Sequence, residues 1–408
     1  MVDDLLTISE CGYKTSMVHG FMKIMTDSKK LQFGADKCKK MHVGKYCEIY
    51  KCQTLKVDQW KEIEIINEET GSEEINDIIE GEKEMKTTES EKYLGDIISI
   101  DGKNLKNIKA RVAKGIGIIS KVTTILDGIP FGRFHYQVGV ILRNTLLVSS
   151  LLCNSEAWYN VTNPELELLE SVDTRILRNI LKAPRSTPKE IVFLELGCIP
   201  LREVLMKRRI LFLHYIMNQS ENSMIYKFFE TQCKTKKHKD WISTVQQNLK
   251  DLEFEQTLEE IKKMKKTTLK RMLNKAITKK SFERLIEMKE KHSKLNDLTY
   301  SDLKMQNYLK PSRVKATQNE IETIFKMRSR MADVKLNFRG KYENLECRAC
   351  YQEEESQKHL YECLEIMKNK QTKTKMMKYE NIFGENSRCQ VEIAKHFLEN
   401  IEIRNTFK

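Results

Sequence analysis

A chain of 408 residues with 40% apolar and 32% charged residues, but only 16 glycines and 6 prolines, has the makings of two or three heavily solvated, mostly helical domains. A formal charge of +13 and a pI near 9.0 point to acidic partners, nucleic acid first among them, although a merely soluble basic protein shares that balance. Eleven cysteines, an odd number scattered mostly singly, argue against a disulfide framework, and runs such as Leu151-Leu152-Cys153 are too short to cross a bilayer.

The first residues lack the charged-then-apolar pattern of a secretion signal, and no fixed-period repeat marks a solenoid. A soluble intracellular protein, cytoplasmic or nuclear and not secreted, with no membrane contact is expected.

In chain order, Asp3 and Asp4 precede the apolar residues Leu5, Leu6 and Ile8, a pattern that fits a hairpin turn and the strand after it. Met17, Val18, Phe21, Ile24 and Met25 recur at helical steps, marking one face of an amphipathic helix within 16–29. A strand with a basic shoulder is expected over 37–44. Residues 47–91 read as an acidic surface insertion of short strands and loops. Within 92–102 two short apolar runs end in Asp101-Gly102, a strand-rich element with a turn signal.

From residue 104 the period is helical. Ile108, Val112, Ile116, Ile119 and Val122 form one stripe; Tyr136 to Leu152 forms a more apolar helix; Pro164 opens a third, with Leu166, Leu169, Val172, Ile176 and Ile180 inward. Pro184 and Pro188 interrupt before a helix from about Leu201 to Met217, which carries Arg202, Lys207, Arg208 and Arg209 on or beside its apolar face. Lysine clusters at 234–239, 262–266 and 275–280 lie among apolar residues at helical spacing, so 231–294 reads as a charged helical region. Helices over 318–331 and 391–403 complete the pattern.

The most specific motif is Cys347-x2-Cys350-x8-His359-x3-Cys363. Two thiolates two residues apart make one knuckle, and a histidine and cysteine four apart share one face of a helical turn, completing a closed, structural tetrahedral zinc shell. Asp3 and Asp4 are either a solvated turn or a carboxylate pair for Mg²⁺, and no further carboxylate partner is evident downstream. Tyr93-Leu94-Gly95 fits a buried strand whose glycine permits close backbone approach. The lysine clusters are solvated helix faces or contacts to a nucleic-acid backbone. Seven histidines (His19, His42, His135, His214, His238, His292, His396) show no site-like spacing.

Taken together, Val2-Asp3-Asp4, the helix to Lys29, the stretch from Leu31-Gln32-Phe33-Gly34 to Lys37-Cys38, Tyr93-Leu94-Gly95, the run Leu151 to Trp158 with its Glu156-x-Trp158 ending, and the Cys/His cluster resemble the back half of a non-LTR (LINE-type) retrotransposon reverse transcriptase. The resemblance implies that Asp3 and Asp4 are the magnesium-binding box, that Lys37 lies near the triphosphate, that Tyr93, Leu94 and Gly95 grip the primer, and that the lysine-bearing helices follow the RNA template and DNA primer. It departs from the family at Met1, where the box has an aromatic residue. The fingers, the first half of the palm and the first catalytic aspartate have no counterpart, so the partner would include that missing polymerase half and the chain alone is expected to be inactive in synthesis.

The expected fold is mainly α with minor β: a palm remnant over 1–46, the insertion over 47–91, a primer-grip-like hairpin over 92–103, a helical thumb over 104–220, a basic helical connector over 221–340, and a zinc knuckle with C-terminal helices over 341–408. The expected function is RNA-directed DNA synthesis at family level with nucleic-acid binding retained here. The alternatives are a non-enzymatic zinc-containing nucleic-acid-binding protein and a zinc-stabilised helical interaction protein.

Overall fold

A computed structural model describes residues 6, 8, 17–19, 21–25, 38–41, 56–66, 73–84, 86–132, 134–235, 240–310, 315–370 and 377–407, with backbone alone over 56–66, 73–84 and at 87. Asp3, Asp4 and Lys37 lie outside the described residues. The described chain is mainly helical with a minor β part, as the composition leads one to expect. It divides into two compact units, 1–107 and 108–408.

Among the described residues, the first unit holds three two-stranded sheets. Strand β1 (Lys39–Lys40) pairs in parallel with β4 (Lys86–Thr87). Between them, β2 (Lys56–Ile66) and β3 (Glu73–Glu84) form a long antiparallel ladder whose register shifts between Gln59 and Trp60. The expected short strands are therefore one long hairpin, which the isoleucine-rich runs on both sides of Gly71 support through β-propensity. The backbone is helical at 17–19 and 21–25, and Phe21, Ile24 and Met25 are exposed.

Strands β5 (Ser90–Tyr93) and β6 (Asp96–Ser99) form the third hairpin. Leu94 and Gly95 are its two turn residues, at φ 46° and 88°. Both central residues at positive φ define the turn whose twist matches flanking strands, and it is the reason for glycine here. The expectation of a buried strand with close backbone approach is corrected: Leu94 is exposed, and a Cβ on Gly95 would meet nothing within 4 Å. Asp101-Gly102 only closes β6, through the Gly102 amide to the Ser99 carbonyl at 2.9 Å.

The second unit is helical. Helix α1 (Leu105–Asp127) crosses the unit boundary and buries Ile108, Ile119, Val122 and Leu126. Ile116 points outward and Gly115 takes the inward position, where a Cβ would lie 3.0 Å from Leu151 and Val172 side-chain atoms. A step of seven from Ile108 follows the 3.6-residue period more closely than the step of eight to Ile116. Helix α2 (His135–Leu142) continues through a π-helical segment, Arg143–Val148, to Leu151. Arg143 is the one charged residue in that run, and it is buried against Asp173, with Nε to Oδ1 at 2.7 Å.

Helix α3 (Asn163–Ile180) starts on a Thr162/Glu165 capping box with Pro164 in its first turn, and all five expected inward residues are buried. Helix α4 (Lys189–Leu196) ends at Gly197, φ 64°, where a Cβ would sit 2.3 Å from the Met305 nitrogen; no side chain fits. Then come α5 (Leu201–Met217), α6 (Met224–Thr235), α7 (Trp241–Asp251), α8 (Leu258–Lys263), α9 (Lys266–Glu290), α10 (Gln318–Arg328), α11 (Gln357–Glu362), α12 (Leu364–Lys368) and α13 (Ser387–Arg404).

Two apolar clusters hold this unit. One gathers residues from Ile108 to Phe397; the other gathers Ile210 and Leu213 of α5, Val245 of α7 and Leu269, Leu273 and Ile277 of α9. Helices α5 and α9 run antiparallel between them, clasped where Arg284 donates to Glu203 at 2.8 and 3.0 Å. The larger cluster continues past residues 220 and 340. Among the described residues no helix is long and apolar enough to cross a membrane.

Candidate metal centre

The structure brings Cys347, Cys350, His359 and Cys363 together, with one ligand atom of each lying within 4.8 Å of all the others. Cys347 and Cys363 are buried, and Cys350 and His359 half-buried. The first knuckle forms because the Tyr351 amide turns back to the Cys347 carbonyl at 3.0 Å while Tyr351 itself adopts φ 55°. That left-handed position costs a non-glycine residue about 1 kcal/mol, which the surrounding turn must over-determine. Ser356 caps α11, accepting the His359 amide at 2.9 Å, and so sets the imidazole over the knuckle with Nε2 3.3 Å from Cys350 Sγ. Cys363 sits at the N-cap of α12.

Backbone amides converge on the sulfurs. Cys347 accepts from Ala349, at 3.4 Å, and Cys350; Cys350 from Gln352 and Glu353; Cys363 from Glu365 and Ile366. Burial pushes the Cys347 thiol up to about 12 and raises Cys363. Burial acts upward on Cys350 most strongly of any single cause, but the Gln352 and Glu353 amides and the hydrogen bonds with Cys347 and His359 together outweigh it and its pKa falls. Three sulfurs this close repel one another as thiolates unless a cation lies among them. A tetrahedral zinc at about 2.3 Å from sulfur and 2.0 Å from nitrogen places its ligand atoms about 3.5–3.8 Å apart, within reach of this cluster. The Cys3His set could hold a zinc ion.

Two supporting groups escaped the sequence. Glu353 Oε2 lies 3.0 Å from His359 Nδ1, the carboxylate that fixes the tautomer presenting Nε2 to a metal. Glu355 is fully buried, bonded to Arg348 at 2.8 Å and to Arg404 of α13 at 3.2 Å, pinning the knuckle to the last helix. The acidic run Glu353-Glu354-Glu355 between the second and third ligands is the one signal that could have shown both.

Of the other expected site residues, Tyr93, Leu94 and Gly95 form the hairpin tip described above. Among the basic residues of α5, Arg209 is buried and donates to the Trp158 carbonyl at 3.0 Å, and Arg208 lies 3.5 Å from Glu156, so these two are used inside the fold. No family model, curated protein or solved structure matches this chain.

His396 of α13 packs edge-on to Tyr361, ring centroids 4.7 Å apart, and accepts at Nδ1 from Lys370, which also reaches Glu399, both at 2.9 Å. Burial, then the Lys370 cation, lowers its pKa below 6.5. The folded chain therefore keeps this imidazole neutral where the unfolded chain already binds a proton, so stability falls as pH drops through about 6.5. His135 shifts the same way, so the comparison has to be a variant. His396→Gln should flatten the dependence of urea midpoints between about pH 5 and 7, and an unchanged dependence would contradict the assignment.

Proposed function

We propose that the chain binds nucleic acid as the thumb-side, zinc-stapled part of a reverse transcriptase of the non-LTR retrotransposon type. The observation that carries this reading is residues 262–282, with nine lysines and arginines and no acidic residue. Lys262, Lys263, Lys265, Lys266, Lys270, Arg271 and Lys275 are exposed. Among the described residues, the only members of this run with an ion-pair partner are Lys279 and Lys280, which share Glu253. Crowded like charges on one helix are unfavourable in isolation, and phosphates relieve them with release of the counterions around the nucleic acid.

The helical unit after a Tyr-Leu-Gly hairpin, and the Cys3His set with zinc as its structural ion, support the family reading. Catalytic Mg²⁺ at Asp3 and Asp4 rests on the resemblance alone. A second reading, a non-enzymatic zinc-containing nucleic-acid-binding protein, is favoured by one fact: the cationic run and the metal cluster both lie within 108–408.

Anisotropy of a labelled RNA–DNA primer-template over a salt series is the test. Log K should fall linearly and steeply with log salt, by about 0.9 for each phosphate neutralised. Absent or salt-independent binding would overturn the proposal.

A further inference from the structure

Two residues at the end of α5 that touch the cationic run, His214 through the Met264 carbonyl and Asn218 through the Lys262 carbonyl, flank an aromatic side chain with no role in the core. Tyr215 of α5 is 50% exposed, yet its ring is stacked on Phe212, centroids 6.0 Å apart and planes 10° apart. Phe212 is held in turn by the edge of Trp241, at 5.7 Å and 83°. Trp241 is anchored by its indole N–H to the Glu156 carbonyl at 2.8 Å. Two rings and a hydrogen bond thus fix the plane of a side chain that buries little, which is costly for surface decoration and useful for a flat ligand.

Cations lie beside the residues that flank Tyr215 on α5. His214 and Asn218, one residue before Tyr215 and one turn after it, line an open groove of about 590 Å³ with Lys262, Lys263, Met264 and Lys265 and one carboxylate, Glu259. On the same helix Lys207 is half-buried beside Lys270 of α9 and Arg208, a crowding of like charge that lowers its pKa after burial has done so. A strand whose phosphates follow the groove would pass His214 and Asn218, the residues on either side of the half-exposed Tyr215.

The geometry points to Tyr215 as the stacking platform for one base of a single-stranded nucleic acid whose phosphates lie along Lys207, Lys270 and the groove at Lys262, Lys263 and Lys265. This rests on the nucleic-acid reading above and narrows it to single strands. A duplex hides its base faces, whereas every unpaired base of RNA or DNA offers one, so the platform is tolerant of sequence.

The test is anisotropy of the full chain with labelled oligouridylate, oligothymidylate and a duplex, each of about 15 nucleotides. Tyr215→Ala should weaken both single strands by roughly 5- to 150-fold, leave duplex binding and the salt slope unchanged, and be rescued by Tyr215→Phe. Tyr215→Ala binding single strands as the wild type does, or losing single strands and duplex equally, overturns the platform while leaving the cationic surface standing. A wild-type chain that binds none of the three probes overturns both.

Discussion

Replacing Cys363 by serine, or stripping the metal with a chelator, should unfold the C-terminal module while the rest of the helical unit persists. The reason lies in the size of the pieces. Helices α11 and α12 have six and five residues, far below the length at which a helix is stable in water. Tyr361 and Ile366 are buried, but the knuckle between Cys347 and Cys350 has little apolar surface of its own. A structural zinc in such modules supplies on the order of 10 kcal/mol, more than that local core can replace. Cys389, at the start of α13 and outside the cluster, is the control: Cys389→Ser should leave zinc content and melting unchanged. Limited proteolysis and near-ultraviolet circular dichroism would show the loss. A Cys363→Ser protein that melts as the wild type does, with a chelator adding nothing, would contradict the metal centre.

Glu195→Gln should be the most damaging single substitution away from the Cys3His cluster. Glu195 of α4 is fully buried and receives Arg328 Nε at 2.9 Å, Tyr300 Oη at 2.7 Å and Tyr308 Oη at 2.8 Å. Burial and the adjacent carboxylate hold both tyrosine hydroxyls well above their usual range. Arg328 also donates to the Ile382 carbonyl at 3.0 Å, so one carboxylate ties α4, the 300–308 segment, α10 and the chain before α13. Glutamine keeps the shape and an acceptor but leaves the guanidinium without a counter-charge in the interior. Breaking a buried pair from one side costs about 3–5 kcal/mol, which lowers the melting temperature of a unit this size by roughly 10 °C. The combination Glu195→Leu, Arg328→Met, Tyr300→Phe and Tyr308→Phe should recover much of that loss, because it removes both charges with their desolvation cost and leaves neither tyrosine hydroxyl without its acceptor. Melting of Glu195→Gln within about a degree of the wild type would contradict this account.

Elements whose information is local were legible in the sequence. Helix α3 shows its cap, its proline and its five inward residues at 3.6-residue spacing, and the bounds of α5 match their pattern. The four residues of the Cys3His cluster were legible because C-x2-C and H-x3-C spacings carry their own geometry. What depends on distant partners was not. Glu195 and Arg328 are 133 residues apart, and neither residue type signals burial. Arg143, at the start of the π segment, has its partner Asp173 on another helix. Nothing in the pattern of α5 separates Arg209, used up on the Trp158 carbonyl, from Lys207, which lies beside Lys270. At the hairpin tip, Tyr93-Leu94-Gly95 alone does not separate a glycine needed for positive φ from one needed for space.

The claim on which the account turns is that the acid-free cationic run of α8 and α9 meets phosphates. Its most direct test compares salt slopes of primer-template binding for the wild type and a variant with Lys266, Lys270, Arg271 and Lys275 all changed to glutamine. All four are exposed, so the fold should stand. If these side chains neutralise phosphates, the variant binds more weakly at every salt concentration, and its slope is shallower by about 0.9 for each phosphate left without its cation. A variant with the same slope and affinity as the wild type would show that this surface does not touch nucleic acid.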